Sequence, residues 1–253
     1  MDNAQDNSKL KFGLVGRGIS YSFSRNYFAN KFQSENLPHS YVNFDLQSID
    51  ELDDIIKNAP NLKGLNVTIP YKEEVIPMLD DLNKRARKIG AVNTIRITRY
   101  QKLIGYNTDY YGFKNSLKPL LEKHHKTALI LGTGGASKAI AYALKKLKID
   151  YDYVSRSEKK GVKFLYSDLT DEIISSYSII INCTPIGTFP DVNVCPDIPY
   201  EAITEKHILY DLIYNPEQTK FLSCGDMKGA TTINGLEMLR LQAEKAWDIW
   251  NKS

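Results

Sequence analysis

Short apolar runs alternate with amphipathic stretches along nearly the whole chain. Leu10 to Val15 predicts a buried strand ended by Gly16-Arg17-Gly18. A helix is expected around Asn26 to Phe32, where Phe28 and Phe32 stand one turn apart. Tyr41 to Phe44 predicts a second strand, and Ile49 to Asn58 carries Leu52, Ile55 and Ile56 at helical spacing. Leu65 to Ile69 predicts a third strand closed by Pro70, followed by helices over Tyr71 to Leu79 and Asp80 to Ile89. Thr94 to Thr98 and Lys102 to Tyr106 read as a hairpin leading into Asn107-Thr108-Asp109.

The second half repeats the alternation. A helix carrying Phe113, Leu117, Leu120 and Leu121 on one face should be kinked or ended by Pro119. Thr127 to Leu131 predicts a strand and Lys138 to Leu147 a helix, with further strands at Tyr151 to Val154, Ser178 to Asn182 and Ile208 to Leu212. A last helix, Gly235 to Trp250, sets Leu236, Leu239, Ala243, Ala246, Trp247 and Trp250 near one face. Buried strands separated by helices predict an α/β fold with a doubly wound parallel sheet. The expected division is a first lobe over residues 1–108, a nucleotide lobe over 109–233, and a helix over 234–253 returning to the first lobe.

Composition narrows the function classes. A length of 253 residues suits one large domain or two lobes. A net charge of +3, from 33 basic and 30 acidic residues, is too balanced for nucleic acid or a membrane surface to be expected as a partner. Cys183, Cys195 and Cys224 have no C-x-x-C spacing, so neither a disulfide framework nor a structural metal is indicated. His124 and His125 are expected to be solvated in a basic linker. Met1 to Ser8 is polar and acidic, unlike a signal peptide, and runs such as Ile179 to Ile181 are too short to cross a bilayer. The expected location is the cytoplasm.

The strand Thr127 to Leu131 runs directly into Gly132-Thr133-Gly134-Gly135-Ala136-Ser137 and a helix, the setting a dinucleotide fingerprint requires. Gly132 permits the tight turn, and Gly134 lets backbone approach a pyrophosphate whose charge the helix N-terminus favours. The bland alternative is a glycine-rich turn binding nothing, but the neighbouring strands at the expected distances disfavour it. The next strand ends at Val154 and is followed by Ser155-Arg156-Ser157. No carboxylate stands there for a ribose 2′-hydroxyl, whereas a guanidinium stands ready for a 2′-phosphate, so NADP is favoured over NAD. Arg156 as a plain surface charge is the competing reading. Lys159 and Lys160 are weaker candidates that serve equally as solvated charges; Lys160 is counted with the cofactor residues.

Six further motifs occur in order: Asn66 to Glu74, Gly90 to Thr94, Gly105 to Asp109, Asn182 to Gly187, Tyr210 to Tyr214, and Gly235 to Leu239. Together they resemble the shikimate dehydrogenase family over nearly the whole chain. The resemblance implies NADP-dependent reduction of the ring ketone of 3-dehydroshikimate in aromatic amino-acid biosynthesis, by a monomer or homodimer with its site in the cleft between the lobes. It implies Lys72 and Asp109 as the catalytic pair, although a surface charge and a helix N-cap are the bland readings of these two. Lys72, expected near a helix N-terminus, would give a proton to the developing alkoxide, and Asp109 would orient it. The resemblance further implies Ser22 and Ser24 at the substrate carboxylate, assisted by Tyr214. Asn66, Thr68, Asn93 and Gln242 would meet the ring hydroxyls.

The first loop departs from the family. Where relatives commonly read Gly-x-Pro-Ile-x-His-Ser-x-Ser-Pro, this chain has Gly16-Arg17-Gly18-Ile19-Ser20-Tyr21-Ser22-Phe23-Ser24-Arg25. Both serines remain, but Gly18 is expected to loosen the loop and alter carboxylate binding. That keeps other readings in view: an NAD-preferring quinate/shikimate dehydrogenase, a relative using another small hydroxy acid, and a non-catalytic NADP-binding relative.

Overall fold

The computed structural model describes residues 9–19 and 22–252. The Met1 to Ser8 stretch, and Ser20 and Tyr21 of the first loop, lie outside the described residues. The chain divides into two compact units, Met1–Thr108 with Gln242–Ser253, and Asp109–Leu241.

The first unit begins with β1 (Lys11–Gly16), α1 (Phe23–Ser34), β2 (Ser40–Asp45), α2 (Leu52–Asn58) and β3 (Leu62–Val67). It continues through β4 (Asp81–Leu82), α3 (Lys84–Ile89), β5 (Thr94–Ile97) and β6 (Leu103–Tyr106). The sheet order is β2-β1-β3-β5-β6-β4. β1 pairs parallel with β2 and β3, whereas β5 pairs antiparallel with both β3 and β6. The hairpin expected at residues 94–106 accounts for this mixed half. Val15, Leu65, Val67, Val92 and Ile95 are buried on one apolar cluster, and Phe12, Leu14, Phe28 and Trp250 on another.

The second unit holds α4 (Asp109–Leu117), β7 (Thr127–Leu131), α5 (Gly135–Leu147), β8 (Asp150–Ser155) and β9 (Phe164–Leu165). It then adds α6 (Asp171–Ser175), β10 (Ile179–Asn182), β11 (Ile208–Asp211), α7 (Lys220–Met227), β12 (Thr231–Ile233) and the first part of the chain's last helix as far as Leu241. Its strands pair in parallel in the order β12-β11-β10-β7-β8-β9. The chain winds outward from β7 to one edge and then from β10 to the other. This is the doubly wound order, whose crevice outside the ends of β7 and β10 is the general ligand position. The buried, near-continuous apolar runs of β7 and β10 are what a sheet covered on both faces demands.

Several expectations need correction. Tyr71 to Leu79 is not an α-helix: turns lead into a short 3-10 helix over Ile76–Met78. Pro77 has no N–H to give the Glu73 carbonyl, and its ring excludes a regular turn there. Lys72 therefore stands in a turn, not at a helix N-terminus. Asp80 to Ile89 is likewise broken, because Asp81–Leu82 joins the sheet beside β6 and Asn83 caps α3 by accepting from Arg85 N. The third strand ends at Val67, two residues earlier than expected, and starts at Leu62. Pro119 does end α4, with a 3-10 turn over Lys118–Leu120.

His125 is buried, not solvated: its Nδ1 accepts from Glu122 N at 2.8 Å, and burial lowers its pKa. The last helix, α8 (Leu236–Trp250), passes from the second unit to the first between Leu241 and Gln242. Leu236 is exposed, while Ala243, Ala246 and Trp250 are buried against Phe12 and Phe28. The Trp250 indole donates to Ile95 O at 2.9 Å, and a Cβ at Gly64 would stand 2.2 Å from its ring. Only a glycine in β3 admits that ring.

Candidate active site

In the first unit a connected set of buried amides and hydroxyls lies where β3, β5 and α8 meet. Asn66, Asn93, Thr94, Thr108 and Gln242 are all buried. Asn93 Nδ2 donates to Thr108 Oγ1 at 3.0 Å and to Gln242 Oε1 at 3.1 Å, while Asn93 Oδ1 accepts from Thr108 N at 2.6 Å. Asn66 Nδ2 donates to Asn93 O and to Thr94 Oγ1, both at 3.3 Å. Its Oδ1 accepts from the Tyr41 hydroxyl at 2.8 Å. Tyr41 is also hydrogen-bonded to Ser24, and burial raises its pKa. Gln242 Oε1 takes a second hydrogen bond, from Thr108 Oγ1 at 3.1 Å. With its oxygen engaged twice, the amide presents Nε2 on its other side, a donor suited to a substrate hydroxyl. Thus Asn66, Asn93, Gln242 and Ser24 come together as one network, to which the sequence reading had not assigned Tyr41, Thr94 or Thr108.

In the described part of the first loop, Gly18 and Ile19 are hydrogen-bonded to side chains of β2. Gly18 N and Ile19 N donate to the two oxygens of Asp45 at 2.8 and 3.2 Å. Asn43 Nδ2 donates to Ile19 O at 2.6 Å, which turns its Oδ1 toward Ser22 Oγ at 3.1 Å. Ser22 also caps α1 by accepting from Arg25 N at 3.2 Å. Arg17 Nε donates to the Tyr71 hydroxyl at 3.2 Å, and its guanidinium lies 5.5 Å from the centre of that ring and bonds Gln47 O. Side chains from β2 thus hold Gly18, Ile19 and Ser22. Thr68 packs its methyl where a Cβ on Gly16 would stand, and its N–H donates to Val15 O at 2.9 Å. Half-buried Lys72 is tied to the run before β5 through its carbonyl, which accepts from Val92 N at 2.7 Å.

The dinucleotide turn belongs to the second unit. Gly132 has φ of +102°, and a Cβ there would sit 3.0 Å from the Thr184 methyl, so glycine is required on both counts. Gly134 is the N-cap of α5 with no side-chain cap, and a Cβ on it would meet nothing within 4 Å. The first amides of α5, Gly135 and Ala136, face this open space with the positive end of a helix dipole, which fits a pyrophosphate. Ser137 is buried and donates its hydroxyl hydrogen to Gly134 O at 2.7 Å, holding the turn's shape. Ser155 is buried, accepting from Ser157 N, and Arg156 and Lys160 are exposed beyond β8.

Lys159, the weaker lysine on sequence grounds, donates to Thr133 Oγ1 at 3.4 Å and so reaches the glycine turn. Two adjacent lysines carry no signal telling which one turns inward. Beside Arg156, Tyr166 follows the Ser155–Leu165 pairing of β8 and β9. Its hydroxyl is buried without a hydrogen-bond partner among the described residues, and burial pushes its pKa up to about 12. Asp109, buried at the start of α4, and half-buried Tyr214 also belong to this second unit.

A doubly wound sheet with a glycine turn opening a helix at its switch point defines a dinucleotide-binding α/β protein, here joined to a separate α/β unit rich in buried amides. Residues 14–95 match the family described as shikimate dehydrogenase substrate binding domain. A shikimate dehydrogenase (NADP(+)) of Clostridium botulinum is 41% identical over 248 residues, covering 94% of this chain and 95% of its own. The crystal structure of shikimate dehydrogenase from Aquifex aeolicus superposes with a TM-score of 0.86 at 34% identity, covering 99% of this chain and 94% of its own. The Thermus thermophilus enzyme, solved in complex with NADP(H) and shikimate, gives a TM-score of 0.84 at 29% identity over 96% and 93% of the two chains. The chain belongs to the shikimate dehydrogenase family.

Proposed function

We propose that the protein is an NADP-dependent oxidoreductase that reversibly reduces the ring ketone of 3-dehydroshikimate to the alcohol of shikimate. The observation that carries this reading, beyond family membership, is the Asn66–Asn93–Gln242 network. Its amides are held rigid by one another, with the Gln242 amide oxygen engaged and its nitrogen turned to the other side as a directed donor for a polyhydroxylated ring. A buried polar group left without its partner costs about 1–3 kcal/mol, so such a cluster also discriminates against rings lacking those hydroxyls.

In the proposed reaction NADPH, when bound, supplies a hydride to the carbonyl carbon. The Lys72 ammonium donates the proton that completes the alcohol on the carbonyl oxygen, and Asp109 orients that ammonium and accepts from a neighbouring substrate hydroxyl. Ser22 and Ser24, with Tyr214, receive the substrate carboxylate. Asn66, Thr68, Asn93 and Gln242 receive the ring hydroxyls. Gly132, Gly134, Gly135, Ala136 and Ser137 form the pyrophosphate turn; Ser155, Arg156 and Lys160 form the 2′-phosphate end. No described helix is long and apolar enough to cross a membrane. We assign the protein to the cytoplasm, as a monomer or homodimer.

The test is Lys72→Ala with two readouts. Turnover with shikimate and NADP should fall by about a hundredfold or more, the range a positioned general acid contributes, while NADPH affinity stays unchanged. Undiminished turnover removes Lys72 from the chemistry.

A further inference from the structure

Two stretches of the second unit have no role in the scheme above: the turn after β10, Asn182 to Gly187, and the end of β11, Tyr210 to Ile213. They meet at Asp211, the last residue of β11, which is 0% exposed. Its Oδ1 accepts from Asn182 Nδ2 and from Ile213 N, both at 3.0 Å, and its Oδ2 accepts from Thr219 Oγ1 at 2.7 Å. These three donors are neutral. Burial pushes the carboxyl up to about 6, against the opposing pull of the three hydrogen bonds.

An ionised carboxylate only accepts, so it dictates which end of the Asn182 amide faces it. With Nδ2 turned to Asp211, Asn182 Oδ1 faces the next turn, accepting from Thr184 N at 3.0 Å and from Thr184 Oγ1 at 2.6 Å. The remaining Nδ2 hydrogen goes to Ile186 O at 3.3 Å. The whole amide is committed, and Thr184 to Ile186 is held by it. That turn packs on the dinucleotide site: a Cβ on Gly132 would lie 3.0 Å from Thr184 Cγ2 and 3.4 Å from the Cys183 carbonyl. Gly132 follows β7 and Thr184 follows β10, the two strands at the sheet's switch point.

We propose that Asp211 is a positioning residue for the cofactor, acting through Asn182 to set the Thr184 to Ile186 turn against the glycine turn. It touches neither cofactor nor substrate itself. This rests on the NADP-dependent reading, but its prediction concerns binding alone.

The experiment compares wild-type protein, Asp211→Asn, Asn182→Ala and the double variant. NADPH affinity is titrated by the change in its own fluorescence, and the Michaelis constant for shikimate is measured alongside. Each single variant should weaken NADPH binding about tenfold, with the shikimate constant within about twofold of wild type. The double variant should bind no more weakly than the worse single, because both act along one path. Unchanged NADPH affinity, additive losses, or equal losses for both ligands would overturn the proposal. Asn182→Ala keeps it testable should Asp211→Asn fail to fold. A wild-type protein that binds NADPH but leaves shikimate unoxidised would contradict the reading of function, while the binding comparison still decides the role of Asp211.

Discussion

Asn93 Nδ2 donates to Gln242 Oε1 at 3.1 Å, joining residues 149 positions apart in the chain. The bond places α8 beside the run into β5, and it fixes which end of the Gln242 amide is presented outward.

Replacing Gln242 with alanine removes that outward donor and leaves Asn93 and Thr108 short of an acceptor. The Michaelis constant for shikimate should rise about tenfold, in line with about 1–3 kcal/mol for an unpaired buried group. The constant for NADP should change less than about twofold. Steady-state kinetics with each substrate varied in turn checks this; a shift confined to NADP would contradict it.

Arg156 stands exposed just past β8, whose last residue is Ser155 and not a carboxylate. Arg156→Ala should weaken NADP by roughly ten- to a hundredfold, the worth of a charge-assisted hydrogen bond, and leave NAD nearly unaffected. Equal losses for both cofactors would place the guanidinium elsewhere than at the 2′-phosphate.

Asp45 accepts from two successive backbone amides of the first loop. Asp45→Ala should free that loop and raise the shikimate constant about fivefold, with NADPH binding unchanged, since hydrogen bonds to a charged acceptor are worth roughly 1.5–3 kcal/mol before solvent exposure reduces them. The melting temperature should move little because Asp45 is exposed. An unaltered shikimate constant would show that the brace does not bear on Ser22 and Ser24.

Local signals made the second unit legible. A five-residue apolar strand, a glycine turn and an Ala- and Leu-rich helix follow one another without interruption from Thr127 to Leu147, so the dinucleotide turn needed no distant information. The two-residue β9 and three-residue β12 are too short to display any periodicity. The Tyr71 to Leu79 stretch shows apolar spacing that suits a helix, and Pro77 overrides it. The brace at Gly18 was invisible for a different reason: Asp45 lies 27 positions away, and only the pairing of β1 with β2 brings it alongside. The same holds for Tyr41, whose hydroxyl reaches Asn66 across the sheet.

Asp211 gives a pH dependence of known sign. Its folded carboxyl is pushed up to about 6 from an ordinary value of 3.8, so folding favours the protonated form. The stability it contributes is complete below pH 3.8 and is lost as pH rises to about 6. Relative to Asp211→Asn, the wild type should therefore lose on the order of 2–3 kcal/mol between about pH 4 and about pH 7.5. Urea unfolding of both proteins at the two pH values measures the gap. A gap independent of pH would mean that burial does not perturb this carboxyl.

The most direct measurement is a spectrophotometric assay of the purified protein with shikimate and with quinate, each offered NADP and NAD. The account predicts NADPH formation from shikimate and NADP at a rate well above the other three combinations. Absence of NADPH formation from that pair, or a faster reaction with NAD, would contradict it.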